Sequence, residues 1–189
     1  MALPETTRTC GTCTLCCKVS GIKELDKPAG VWCKFAKPGQ GCTIHGRHPR
    51  ECQTYKCAWL ERQDLAEDWK PSISKMVLRI EGPGVFVHVD PDARGAWKKQ
   101  PYYRGLKKTS EGLWNGTAHV IVYEGHDITV IFPEEDLHIG KNGEGDRVVV
   151  AYQKVGASQR PFVRVERANG EVSDFYGAVH TVRGFPPVA

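Results

Sequence analysis

The chain has 189 residues, a formal net charge of +4, 40% hydrophobic residues and 25% charged residues, the balance of a globular protein long enough for one large domain or two small ones. A charge this small does not point to nucleic acid by itself, and no stretch approaches the roughly 18 consecutive apolar residues of a membrane helix. The opening MALPETTRT lacks a basic region followed by an apolar run, and neither end carries a lipidation motif, so the expected location is cytoplasmic with no membrane partner.

In chain order, the first feature is CGTCTLCC at residues 10–17. Cys10, Cys13 and Cys16 have the spacing of a bacterial ferredoxin, which would place its fourth cysteine at position 20, before a proline. Position 20 is Ser20 instead, and the fourth cysteine is Cys17, directly after the third. On a helix at about 100° per residue all four would fall within an arc of about 120°. Alternatively, a tight CxxC turn would aim backbone N–H groups at the sulfurs. Either geometry gathers thiols.

Four more cysteines follow, Cys33, Cys42, Cys52 and Cys57, and none after them. Adjacent cysteines such as Cys16 and Cys17 pair poorly, and the cytosol keeps thiols reduced. A dense thiol cluster there points to metal rather than to four disulfides. Gly39 and Gly41 before Cys42 let the backbone come close to such a site. HPRECQTYKCAWLERQDLAEDW reads as a helix opened by Pro49 and ended before Pro71. Cys52 and Cys57 would stand about 140° apart on it, so they cannot share a face of an unbroken helix.

Beyond residue 70 the period changes. KMVLRIEG (75–82), GVFVHVD (84–90), AHVIVYEG (118–125), DITVIFP (127–133), RVVVAYQKV (147–155) and PFVRVERANGEV (161–172) read as strands. Gly82-Pro83-Gly84, Gly125-His126 and Asn169-Gly170 read as turns. PYYRGLKKTSEGLW (101–114) reads as a short helix, and PEED (133–136) as a helix start at Pro133. His88, Asp90 and Asp92 would face alike on a strand, but a strand running into an Asp-Pro turn accounts for them. GKNGEGDR (140–147) lacks the Lys-Ser/Thr of a phosphate loop and reads as a turn. Trp59, Trp97, Tyr102, Tyr103 and Trp114 are assigned to core packing, and Arg104, Lys107 and Lys108 to a solvated helix face, so the nucleic-acid signal is weak.

The expected fold class is therefore α+β. A small metal-nucleated cysteine-rich module (1–70) leads into an antiparallel β-rich domain (71–189) with one or two helices. Residues 1–70 hold eleven Lys and Arg against eight Asp and Glu. Eight thiolates and two Zn²⁺ ions would leave that module near −1, while one four-iron cluster with four thiolates contributes about −2. Lys18, Lys34, Lys37, Arg47, Arg50 and Lys56 lie among the cysteines and could offset such charge, though each alone is more simply a surface cation.

The spacing CxxCxxCC, then W-C-x₈-C, then C-x₉-C-x₄-C, resembles the bacterial CxxCxxCC cysteine-cluster family, described as a zinc- or iron-chelating domain and often as an Fe–S-cluster-containing protein. The resemblance covers about residues 10–60 and implies metal binding by these cysteines, without a particular reaction. The family commonly reads C-x-I-Y-x-x-R-P-x-x-C. Here CTIHGRHPREC places His45 and His48 at the Tyr and Arg positions, where surface or supporting roles are expected rather than ligation.

The candidate metal ligands are Cys10, Cys13, Cys16, Cys17, Cys33, Cys42, Cys52 and Cys57, holding an Fe–S cluster or Zn²⁺. No catalytic residue is indicated. The CxxxCxxC of radical S-adenosylmethionine chemistry fails at Ser20, and CxxC redox catalysis lacks its βαβ context. Two functions follow: a cluster-bearing redox component, or a zinc-stapled structural protein whose β-rich domain binds a protein or RNA partner.

Overall fold

The computed structural model describes residues 8–82, 84–112 and 119–181. Pro83, Trp114 and the C-terminal part of the 101–114 segment lie outside them. The described residues form an α+β fold. Before residue 71 the elements are short: helices α1 (Cys16–Val19), α2 (Arg50–Thr54) and α3 (Ala58–Glu61), and a two-residue ladder of β1 (Ala36–Lys37) with β2 (Gly41–Cys42). Helix α4 (Pro71–Ser74) leads into a five-stranded sheet. Its strands are β3 (Met76–Glu81), β4 (Gly84–Val89), β5 (His119–Glu124), β6 (Asp127–Ile131) and β7 (Asp136–Lys141), in that spatial order. Helix α5 (Tyr102–Gly112) lies between β4 and β5 in the chain. A second sheet follows, in which β9 (Ser158–Glu166) pairs with β8 (Arg147–Val155) along one edge, and with β10 (Val172–Tyr176) and β11 (His180–Thr181) along the other.

The pairings are antiparallel except β4 with β5, which run parallel. A parallel neighbour needs a crossover, and the chain between β4 and β5 supplies it, with Trp97 and Leu106 packed down onto the sheet. The segment read as one helix over 49–69 is broken. Tyr55 is extended at the end of α2, and Cys57 is extended ahead of α3. The PEED segment does not start a helix either: Phe132 N–H donates to the Glu135 carbonyl at 2.9 Å, and the chain re-enters the sheet as β7. The run over 161–172 divides at the Asn169-Gly170 turn, where Gly170 takes φ 89°, into β9 and β10.

Alternation along the strands sends side chains to two faces. Met76, Leu78, Val87, Val89, Val120 and Val122 pack on one face with Trp97, Leu106 and Ala58. On the opposite face, Ile121, Ile128 and Val130 meet Val163 and Val165 of the second sheet. Val77 also faces away from Met76 and Leu78 and packs with Leu15, Val19, Cys57 and Trp59. The cysteine-rich segment thus sits on the β3 side of the sheet and shares its core across residue 70. Arg8 braces this junction: its guanidinium donates to the carbonyls of Trp59, at 2.8 Å, and Leu65, at 2.6 Å.

Candidate functional site

The opening motif combines both geometries that the sequence allows. Cys10 to Cys13 is a tight turn, with Cys13 N–H donating to the Cys10 carbonyl at 2.8 Å, and Cys16 then begins α1. Gly11 holds φ 52°, in the left-handed region that glycine favours. Gly41, at φ 120°, backs onto this turn, and a Cβ there would meet the Gly11 carbonyl at 3.4 Å. The expected close approach at Gly39-x-Gly41 is therefore backbone to backbone, bringing β2 and Cys42 beside the opening motif.

Cys33 is tied to the same place, since its N–H donates to the Cys17 carbonyl at 3.0 Å. The break between α2 and α3 resolves the misfit between Cys52 and Cys57. With an extended linker between two short helices, both cysteines reach the wall of one cavity that an unbroken helix would deny to one of them.

All eight cysteines are free thiols, and all eight line that cavity, whose volume is about 680 Å³. His45, His48, Tyr55, Arg79 and His88 complete part of its wall. Among the described residues, no three His, Cys, Asp or Glu side chains converge closely enough to hold a single metal ion. Thiolates around one zinc all lie about 2.3 Å from it; here the thiols stand around the perimeter of a larger space.

The thiols differ in acidity. The Cys16 thiol interacts with Cys17, which is lowered to about 7 chiefly by that hydrogen bond, while Cys16 is pushed well up by the same contact and by burial. Burial, then the negative charge of Cys17, Cys33 and Cys42, pushes Cys52 up to about 11. Burial raises Cys10 and Cys57 as well. Thiols whose mutual repulsion and burial hold their protons on are the ones a cation would deprotonate, because metal binding releases those protons.

The buried cation beside them is Lys27, which the sequence reading passed over. Its Nζ donates to the Lys18 carbonyl at 2.9 Å and to the Ser20 carbonyl, and it lies within the electrostatic reach of Cys33, Cys17, Cys16 and Cys52. Nothing local in the sequence marks it, because burial comes from the Ile22–Lys27 bridge folding it back under α1. Lys18 is buried too, but it is engaged by Asp90 and Asp92. Lys34, Lys37, Arg47, Arg50 and Lys56 are exposed.

His45 and His48 both line the cavity, with ring centroids 5.0 Å apart. Nδ1 of His48 is buried without a hydrogen-bond partner among the described residues, a cost of about 1–3 kcal/mol unless something engages it. His88 enters the wall from β4, stacked on Tyr123 at 5.0 Å, and burial, then Arg79, lowers it to about 4. The other sequence candidates have structural duties. Asp90 accepts from Asp92 N–H at the turn after β4. Tyr103 OH donates to Asp136, Lys107 Nζ to the Phe132 carbonyl, and Tyr102 OH to the Asp68 carbonyl. Trp59 and Trp97 are core residues.

In comparison with known proteins, no family model, curated protein or solved structure matches the chain. Among the described residues, no helix is long and apolar enough to cross a membrane.

The donor set is rich in soft ligands, although no three of them meet closely enough among the described residues to hold a single ion. Eight free sulfurs, a buried imidazole nitrogen without a hydrogen-bond partner among the described residues, and a buried ammonium face or flank one cavity. The sulfurs are soft donors suited to zinc or iron–sulfur chemistry.

Proposed function

We propose that this protein is a metal-binding protein that holds an Fe–S cluster, or zinc, with Cys10, Cys13, Cys16, Cys17, Cys33, Cys42, Cys52 and Cys57, and that the cluster form makes it a redox component. The observation that carries this reading is the convergence of all eight cysteines, scattered from position 10 to position 57, on one cavity. Buried apolar space is normally filled with apolar side chains. Eight unpaired thiols around a common space instead supply ligands. The spread of the thiols favours a polynuclear centre over one ion, because a cluster carries its thiolates on several irons. The resemblance of the spacing to the CxxCxxCC family supports the same class.

Bound there, a cluster would supply one-electron transfer. The chain's own residues would hold it through sulfur, offset its charge with Lys27, and present His48, His88 and Arg79 along the wall. These are the groups through which a protein tunes a cluster's potential.

A second reading is a zinc-stapled structural protein whose β-rich domain binds a protein or RNA. It is favoured by the shortness of the elements before residue 71, where among the described residues no helix exceeds five residues. Such a segment gains little from helix formation alone and would draw its order from metal.

Protein purified without oxygen separates the two. Iron with acid-labile sulfide and a broad visible absorption is the expected result. Zinc alone in a colourless sample would replace the first reading with the second, and absence of both metals would overturn each.

A further inference from the structure

Independently of any metal, we propose that β8 is a dimer interface, at which two copies of this chain pair antiparallel along Arg147–Val155. The two-fold axis passes beside Val150 and joins the second sheets of the two copies into one.

A sheet edge presents a row of backbone N–H and C=O groups that accepts a further strand unless something protects it. Among the described residues, three of the four edges of the two larger sheets are covered, interrupted or short. β3 lies against α3 and α4. β7 carries a register shift opposite Ile128 and Thr129 and approaches β10. β10 spans five residues, and the same side of β9 passes on to β11. β8 has none of these protections. It runs nine residues in unbroken register with β9 and contains neither proline nor glycine. Setting Tyr152 aside, its backbone hydrogen bonds among the described residues all go to β9.

Its side chains show the same incompleteness. Val148 and Val150 pack into the core beside Val163 and Val165 of β9. The β9 valines are 0% exposed, whereas Val148 and Val150 remain half-buried. Val149 and Ala151, on the outer face, are half-buried too. A strand laid beside β8 would cover both faces of this run.

The occupant is a second copy because the strand is complementary to itself. Directly opposite residues of an antiparallel pair share a face and interact. With Val150 opposite Val150, Val149 meets Ala151 and Val148 meets Tyr152, so the whole central run VVVAY finds apolar partners. Arg147 falls opposite Gln153, and Lys154 falls opposite Asp146, which carries the opposite charge. No like charges meet. Neighbouring registers lose this match. Centred on Ala151, Lys154 faces Val148 and Gln153 faces Val149; centred on Val149, Arg147 faces Ala151 and Asp146 faces Tyr152. A two-fold contact of this kind uses the same patch on both copies and closes on itself, leaving no free edge at β8.

The test measures the mass of the full chain by light scattering, in reductant and without oxygen so that thiols do not cross-link the copies. Wild type is expected as a dimer that dissociates on dilution. Val149→Glu/Ala151→Glu, on the outer face where Val149 is the ladder partner of Arg164, is expected to be a monomer, because carboxylates of the two copies then face each other. Val149→Glu/Ala151→Lys places opposite charges across the same axis and is expected to restore the dimer. Circular dichroism records the fold of each variant. In wild type, amide hydrogen exchange within residues 147–155 is expected to slow as concentration rises, a readout that needs no variant. A wild-type monomer at every concentration, a dimer indifferent to the paired glutamates, or exchange in β8 that ignores concentration would each overturn the interface. Loss of the dimer in both variants would overturn the register centred on Val150.

Discussion

The ammonium of Lys18 lies 2.6 Å from Asp90 Oδ1, and both residues are buried. Lys18 is on α1 beside the cysteine pair, and Asp90 caps the turn that ends β4. One ion pair therefore anchors the cysteine cavity to the sheet. Asp92 accepts from the same ammonium at 2.6 Å but is exposed, so the enclosed contact with Asp90 carries the cost of breakage. Lys18→Met is expected to lower stability by about 3–5 kcal/mol in urea denaturation, because it leaves a buried carboxylate unpaired. Lys18→Met with Asp90→Leu is expected to recover part of that loss. A double variant no more stable than the single would show that the pair is not the anchor.

Gly105 sits in the first half of α5, where a Cβ would meet Trp69 Cζ2 at 2.5 Å. Alanine in an open helix position stabilises by about 1 kcal/mol relative to glycine. Here the opposite sign is expected, since Trp69 is itself wedged against Tyr102 with ring centroids 5.2 Å apart. Gly105→Ala should cost about 1–3 kcal/mol, the range for overpacking. A rise in the thermal midpoint would refute the close fit of α5 on Trp69.

Asp146 governs an acid dependence. Its Oδ2 accepts from Gly143 N–H and from Arg167, both at 2.7 Å, and its Oδ1 from Ala168 N–H at 3.0 Å. The Gly143 N–H, then Arg167 and Ala168, hold its carboxyl down to about 2. A carboxyl whose folded pKa lies below the unfolded value of about 3.9 binds fewer protons when folded. Its contribution is fully present above about pH 4 and is lost as pH falls toward about 2. The thermal midpoints of wild type and Asp146→Asn should therefore differ at neutral pH and converge in acid. A gap that is constant from neutral pH to pH 2 would contradict the assignment.

On the proposed metal-binding reading, chelation should loosen one region selectively. Before residue 71 the backbone is held mostly by turns and helices of four or five residues, whereas β8 and β9 pair along nine residues each. Regions with little internal support open first. After chelation, limited proteolysis is expected to cut between residues 10 and 57 and to spare the two sheets. Equal cleavage of both regions would show that the cysteine segment holds itself together without metal.

Much of the β region was legible from residue pattern. The β-branched runs at 76–81, 84–89, 119–124, 127–131 and 147–155 form strands within a residue or two of the expected bounds, because a buried strand needs side chains that fill a pleated face. The strand Asp136–Lys141 was not legible. Its composition is ordinary, and only pairing with Asp127–Ile131 holds it extended. The helix read over 49–69 failed for a related reason. Its residues favour helix one by one, but the chain must turn at Tyr55–Cys57 for Trp59 to reach Val77 and for Cys52 to reach the cavity.

By itself, the sequence determined which chemistry is available: eight thiols, their spacing, and a β-rich remainder that can bury a core. The tertiary structure alone decided what those thiols share. Long-range contacts bring Cys33 under Cys17, back Gly41 onto Gly11 and bind Lys18 to Asp90. Each joins residues that no local period relates, and burial and charge act on the distance between atoms rather than on separation along the chain.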